Sequence, residues 1–226
     1  MAFAPRVDRA VRYACSVCAD LRIGRLPVDP LAVGQLAGIT VMPLSAVVAN
    51  PGWFPDDLPA RLQMNAVLTL SYPSFCIAFR DDLPDPERLR FPVCHELGHI
   101  FMNHYRDYPE QMEPGSVPDS GLEAEADAFA RNLLAPVPVV DVIRFNRPKQ
   151  ARASVFGLPR NTWISRLDAL ALDRSHTDED MANTLIWLFH DYLLGRRCVQ
   201  CGHVFTDEAQ EGRCPACGAG DPDWDL

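Results

Sequence analysis

Positive charge is scarce in this chain: 21 lysines and arginines stand against 30 aspartates and glutamates, a formal charge of −9 over 226 residues. DNA or RNA needs a basic surface, so direct nucleic-acid binding is not expected, with only Arg196, Arg197 and Arg213 as a local exception. Long apolar runs are missing as well. No stretch approaches the roughly 18 residues that span a bilayer, and the segment Met1–Asp8 has no basic start followed by an apolar run. These absences predict a cytoplasmic protein without a membrane anchor. Internal repeats and low-complexity tracts are also lacking, and with 48% hydrophobic and 23% charged residues the composition is that of a chain that folds around a core.

Cysteine, by contrast, is plentiful, and its spacing matters more than its number. Cys198-Val-Gln-Cys201 and Cys214-Pro-Ala-Cys217 are two CxxC pairs, each followed by glycine, with residues 202–213 between them. Without an export signal such pairs read as metal ligands rather than a disulfide framework. They predict a small zinc ribbon over 197–226, in which a closed site of four cysteines supplies the stability that so short a segment cannot draw from a core. Cys15 and Cys18 form a third CxxC, but they lie in an apolar helical stretch with no second pair, so buried thiols are expected. Cys76 and Cys94 read as small core residues.

Apolar positions recur at helical spacing over 6–24, and a short helix is expected from about Leu31 to Leu36. Residues 39–80 look extended, with β-rich runs at Ile39–Met42, Ala46–Val48, Ala66–Leu70 and Phe75–Phe79. Pro92 fits only the first turn of a helix, which places one from about Arg90 to Tyr105. An irregular loop over 108–118 follows, then helices near 120–135, 139–145, 149–156, 160–171 and 178–195. The fold class is α+β: a core over 1–140 with a small sheet on the central helix, a helical extension over 141–196 completing it, and the ribbon.

Within the central helix lies His95-Glu96-Leu97-Gly98-His99, an HExxH string. Histidines four apart sit on one helical face and can hold a single tetrahedral ion, while Glu96 beside them can take the proton of an attacking water. That is the first half of a zinc hydrolase site. The extended metzincin pattern would require glycine at Met102 and histidine at Tyr105, so the third ligand must come from elsewhere. Glu123 and Glu125 open the next long helix. On a helical wheel its apolar residues Leu122, Ala126, Phe129, Ala130 and Leu133 centre nearer Glu123 than Glu125, which favours Glu123 as the ligand and keeps Glu125 as the alternative. One turn on, Asp127 can accept the outer ring N–H of a ligand histidine. Ser120-x-x-Glu123 also reads as a capping box, the competing use of Glu123. Tyr72, Tyr105 and His104 are candidate donors to an oxyanion.

Taken together, Leu26–Pro30, Arg90–His99 and Glu123–Pro136 resemble, in order, the motifs of the ImmA/IrrE family of zinc metallo-endopeptidases. The downstream segment Ala151–Leu170 is similar too, and the likeness covers roughly residues 7–172. Pro92 departs from the small polar residue usual in the family. The resemblance implies a zincin-like domain with one catalytic zinc on His95, His99 and Glu123, Glu96 as general base, and a partner helix-turn-helix repressor as substrate. The four-cysteine site would add one structural zinc. A non-catalytic protein that grips a partner through the same domain and ribbon is the competing reading, and an intact Glu96 argues against it.

Overall fold

The computed structural model describes residues 4–49, 67–70, 75–82, 86–113, 116–117, 119–146, 152–194, 196–198, 200, 204–205, 217–218 and 224–225. Helix α1, Val7–Asp20, turns Ala10, Val11, Ala14, Val17 and Cys18 inward, the face its spacing predicts. Helix α2, Pro30–Leu36, starts on Asp29, whose side chain accepts from the Leu31 N–H while Pro30 occupies the first turn. Strands β1 (Thr40–Pro43), β2 (Val67–Leu70) and β3 (Cys76–Phe79) form one sheet in the order β1-β3-β2. β1 runs parallel to β3 and β2 antiparallel to it. Central β3 is buried along its whole length, as a strand covered on both faces must be.

Expected as a strand, Ala46–Val48 lies instead in helix α3, Leu44–Val48. Pro43 is extended and serves as its N-cap residue, and Ser45 bonds Asp81 through both its backbone N–H and its hydroxyl. β-Branched residues gain from a sheet only where a neighbouring strand receives them, and here the distant Asp81 carboxylate instead holds the first turn of a helix.

After a 3₁₀ turn, Pro86–Leu89, helix α4 runs Arg90–Phe101 with Pro92 in its first turn. It stops short of the expected Tyr105 because Asn103 takes a left-handed conformation (φ 58°), which asparagine tolerates better than most residues. One turn, α5 (His104–Asp107), then doubles back. Helices α6 (Ser120–Leu134), α7 (Val137–Asn146), α8 (Arg152–Val155) and α9 (Arg160–Ser175) follow. The expected 178–195 helix is divided at Phe189 into α10 (Glu179–Leu188) and α11 (His190–Leu194). Near the C-terminus, β4 (Arg196–Cys198) pairs antiparallel with β5 (Val204–Phe205) and with β6 (Trp224–Asp225).

A continuous apolar cluster joins Ala10 of α1, Leu97 of α4, Phe129 of α6, Val140 of α7 and Phe189, so the helices beyond residue 141 complete the same core. The most extensive helix pairings are α4 with α6 and α1 with α6. Gly98 allows the first of these. A Cβ there would meet the Phe129 ring at 3.0 Å and the Ala126 carbonyl oxygen at 3.2 Å. No helix among the described residues is long and apolar enough to cross a membrane.

A buried charge cluster ties α6 to α9. Asp173 accepts from Arg131 (2.7 and 2.8 Å), Arg166 (2.7 Å) and the Asn132 amide (2.8 Å), while Arg166 also donates to the Ala135 carbonyl. Burial would raise the Asp173 carboxyl, but the two guanidinium groups hold it below its ordinary value. Removing one partner from such a cluster strands the others. Asp173→Ala should therefore destabilise the chain by about 3–5 kcal/mol, read from urea or thermal unfolding, and a loss under about 1 kcal/mol would show that the cluster carries little stability.

Candidate metal centre

Helical periodicity sets His95 and His99 on one face of α4, and the close contact at Gly98 brings the start of α6 over that face. The Nε2 atoms of His95 and His99 are 3.0 Å apart. Glu123 closes the triangle, with Oε2 3.2 Å from His95 Nε2 and Oε1 3.5 Å from His99 Nε2. Donors about 2.0–2.1 Å from a tetrahedral zinc ion stand roughly 3.3 Å from one another, so these separations suit one ion. Two imidazole nitrogens and a carboxylate are also a donor set zinc accepts, leaving a fourth position for substrate or water. Among the described residues, this is the one group of three or more His, Cys, Asp or Glu side chains close enough to share an ion.

Glu123 faces the histidines, but not for the reason the helical wheel suggests. Its side chain is 40% exposed, whereas that of Glu125, which the wheel places farther from the apolar face, is fully buried. The wheel considers only the face packed against α4, yet α1 covers α6 as well and turns Glu125 inward. The capping box does not form. Asp119 is the N-cap of α6, accepting from the N–H groups of Gly121 (2.8 Å) and Leu122 (3.3 Å), and Ser120 is already helical. Glu123 is thereby spared for the site.

Each histidine is held from behind. His95 Nδ1 lies 2.8 Å from Asp127 Oδ1, as the sequence spacing suggests. His99 Nδ1 lies 2.9 Å from His104 Nδ1, and His104 Nε2 lies 3.2 Å from Glu125 Oε2. Glu125 also accepts from the Arg6 backbone N–H (2.8 Å) and the Arg6 Nε (3.0 Å), with Arg9 at 3.8 Å. His104 is thus a buried link with both ring nitrogens engaged, which removes it as an oxyanion donor. The Tyr105 ring stands 6.4 Å from that of His99, and Tyr72 lies outside the described residues. Arg6 and Arg9 were missed in the sequence. Arg6 meets a partner 119 positions away, and no local spacing signals that pairing.

Burial alone would deprotonate His95, but hydrogen bonds to Asp127 and Glu123, and the charge of Glu96, hold its pKa up to about 10. Burial drives His99 the other way, to about 2, helped by the charge on His95. Burial would also raise the Glu125 carboxyl, yet His104 and Arg6 more than offset it and keep its pKa below the ordinary value. The thiols of Cys18 and Cys94 are wholly buried, with pKa values pushed up by desolvation, which makes them inert core groups. Cys15 and Cys76 are buried as well.

Glu123→Ala should empty the His95–His99 site and lower zinc stoichiometry by one at little cost in stability, whereas Glu125→Ala should cost about 3–5 kcal/mol of folding free energy because it strands Arg6, Arg9 and His104. Equilibrium dialysis with thermal melts separates the two. Unchanged stoichiometry in Glu123→Ala, with one ion lost from a folded Glu125→Ala, would reverse the assignment. A second expectation concerns pH. A metal ion must displace the proton from His95, so apparent zinc affinity should climb roughly tenfold per unit between about pH 6 and 9, measured by chelator competition. A flat profile would contradict this. For the metal-free fold the sign is opposite: the raised His95 pKa stabilises it fully below 6.5 and ceases to do so as pH rises through about 10.

Comparison with known proteins adds one result. Residues 59–167 match the model of the Peptidase_M78 family, described as the IrrE N-terminal-like domain. No curated protein and no solved structure matches the chain. The matched segment contains the HExxH helix, the single turn after it and both glutamates of α6. Residues 59–167, a little under half of the chain, are thus similar to an IrrE N-terminal-like domain, which suggests a metallopeptidase-type function on an α+β, zincin-like fold.

Proposed function

We propose that this protein is a zinc-dependent endopeptidase and that its substrate is a partner helix-turn-helix transcriptional repressor, whose cleavage activates a mobile-element or stress-response locus. The observation that carries the reading is the convergence of His95, His99 and Glu123 with Glu96 one residue along the same helix. The match of residues 59–167 to the IrrE N-terminal-like domain supports the peptidase chemistry, and the resemblance to repressor-cleaving proteins supports the substrate. A cytoplasmic location fits a repressor partner.

In this reading the three side chains hold the ion, which when bound polarises the scissile carbonyl and stabilises the charge that develops on it. Glu96 performs the proton chemistry. It accepts a proton from the attacking water as the new C–O bond forms, then passes it to the amine nitrogen as the C–N bond breaks. Asp127 keeps the His95 ring oriented with Nε2 toward the site.

The C-terminal segment completes the proposal as a structural zinc ribbon. Cys198 ends β4, which carries hairpin-like pairing to β5, and Cys217 is exposed. Cys201 and Cys214 lie outside the described residues. A ribbon presented after the helical core would serve to recognise the substrate or another protein.

Glu96→Gln tests the mechanism, because glutamine keeps the shape of the side chain but cannot accept the proton. Co-expressed with the repressor encoded beside its gene, the wild-type chain should yield defined repressor fragments. The variant should lose about 10²–10⁴-fold in cleavage rate. Metal analysis should find two zinc ions per chain in both, and one after Cys198→Ser with Cys201→Ser. Derepression by Glu96→Gln with the repressor intact would mean that the protein acts by binding alone.

A further inference from the structure

The metal-facing nitrogen of His99 is available to an ion only if the ring's single proton sits on Nδ1. Nothing within a histidine guarantees that, since the two neutral tautomers lie close in energy, and a second-shell partner usually decides. His95 has a carboxylate for this purpose, Asp127. His99 does not. Its Nδ1 faces another imidazole nitrogen, His104 Nδ1 at 2.9 Å, and a contact between two imidazole nitrogens is indifferent to which one carries the proton.

Glu125 breaks the tie. Its carboxylate is fully buried and receives the Arg6 backbone N–H and guanidinium on Oε1, leaving Oε2 to His104 Nε2 at 3.2 Å. A carboxylate fixed by arginine only accepts, so His104 carries its proton on Nε2. In the neutral ring His104 Nδ1 is then an acceptor, His99 Nδ1 must be the donor, and the lone pair on His99 Nε2 points toward His95 and Glu123. We propose that His104 and Glu125 are positioning residues: a buried Glu125–His104–His99 relay, anchored by Arg6 of the segment leading into α1, sets the tautomer of His99 and so its competence as a metal ligand. The inference rests on the zinc reading of His95, His99 and Glu123, but it concerns residues that hold no ion and touch no substrate.

Fold geometry explains why the relay exists. The left-handed Asn103 ends α4 and turns α5 back, so that His104, only five positions after His99, packs against it inside the protein rather than projecting into solvent. The rings are 5.0 Å apart between centroids and nearly perpendicular, at 71°, an orientation that suits an in-plane nitrogen-to-nitrogen hydrogen bond better than stacking.

The relay reverses on a single substitution. In Glu125→Gln the amide oxygen is claimed by the two Arg6 donors, so the NH2 group faces His104 Nε2, which becomes an acceptor. His104 then carries its proton on Nδ1, and His99 is driven to the tautomer that carries its proton on Nε2 and has no lone pair there for an ion. His104→Gln should preserve the relay, because the new amide can donate to Glu125 while its oxygen accepts from His99 Nδ1. His104→Leu can do neither.

Zinc affinity is measured by chelator competition on the full chain, with the metal ion alone as ligand. His104→Leu and Glu125→Gln should weaken the His95–His99–Glu123 site by about 10–100-fold, the usual effect of losing an outer-shell partner, while His104→Gln stays within about threefold of wild type. Nitrogen-15 NMR of the histidine rings in the metal-free chain reads the tautomers directly: Nδ1–H on His99 and Nε2–H on His104 are expected. A merely structural role would make affinity follow thermal stability across the variants and would give His104→Gln no advantage over His104→Leu. That pattern, or an Nε2–H tautomer on His99, would overturn the relay. Failure of the zinc reading looks different: His99→Ala would leave zinc stoichiometry unchanged. Because a protonated His95 also faces His99 Nε2 in the metal-free chain, the deciding reading is the His104 tautomer, with Nε2–H expected in the wild type and Nδ1–H in Glu125→Gln.

Discussion

Close contact between α4 and α6 is the constraint on which the rest of the structure depends. It is possible because residue 98 lacks a side chain where any other would press on Phe129 and the Ala126 carbonyl. With the helices this close, a carboxylate from one reaches two imidazoles from the other, and Glu123 completes a set of donors that α4 alone could not supply. A few tenths of an ångström matter here. A metal site fixes its ligand distances to about that tolerance, so the packing of two helices becomes a condition for chemistry.

Helix α6 is the element that carries most of the burden. One face packs on α4 and presents Glu123 and Asp127 to the two histidines. Another lies against α1 and buries Glu125 among Arg6, Arg9 and His104. Its last turn sends Arg131 and Asn132 to Asp173 on α9. Acidic groups are costly to bury, and Glu125 and Asp173 are buried only where cationic or N–H partners surround them. The same arrangement that satisfies the carboxylates also fixes the histidines they meet, so stability and site geometry are not separable in this region.

The break between α4 and α5 illustrates how a small backbone feature changes the meaning of a residue. Read as a continuous helix, His104 would fall at a solvated end. Asn103 in the left-handed region ends the helix at Phe101 and folds His104 beneath His99. Asparagine is among the few non-glycine residues that take this conformation readily, yet it does so only where the following chain has something to pack against. Here that something is Glu125.

What the sequence determined by itself is whatever depends on short spacing. His95, Glu96 and His99 share a face because a helix repeats every 3.6 residues, Pro92 had to fall in the first turn, and Asp127 follows Glu123 by one turn. The α+β class and most helices were legible on the same grounds. Tertiary packing decided the rest. It set Glu123 at the surface of the site and Glu125 in the interior, against the order a wheel built on one apolar face would give, because α6 is covered from two sides. It made α3 a helix although Ala46–Val48 favours a strand, since the distant Asp81 carboxylate accepts from Ser45 in its first turn. It paired Arg6 with Glu125 and Arg131 with Asp173, contacts between charges that a linear pattern treats as independent. Local periodicity is written in neighbouring residues, whereas the partner of a buried charge is fixed only when distant segments exclude water together.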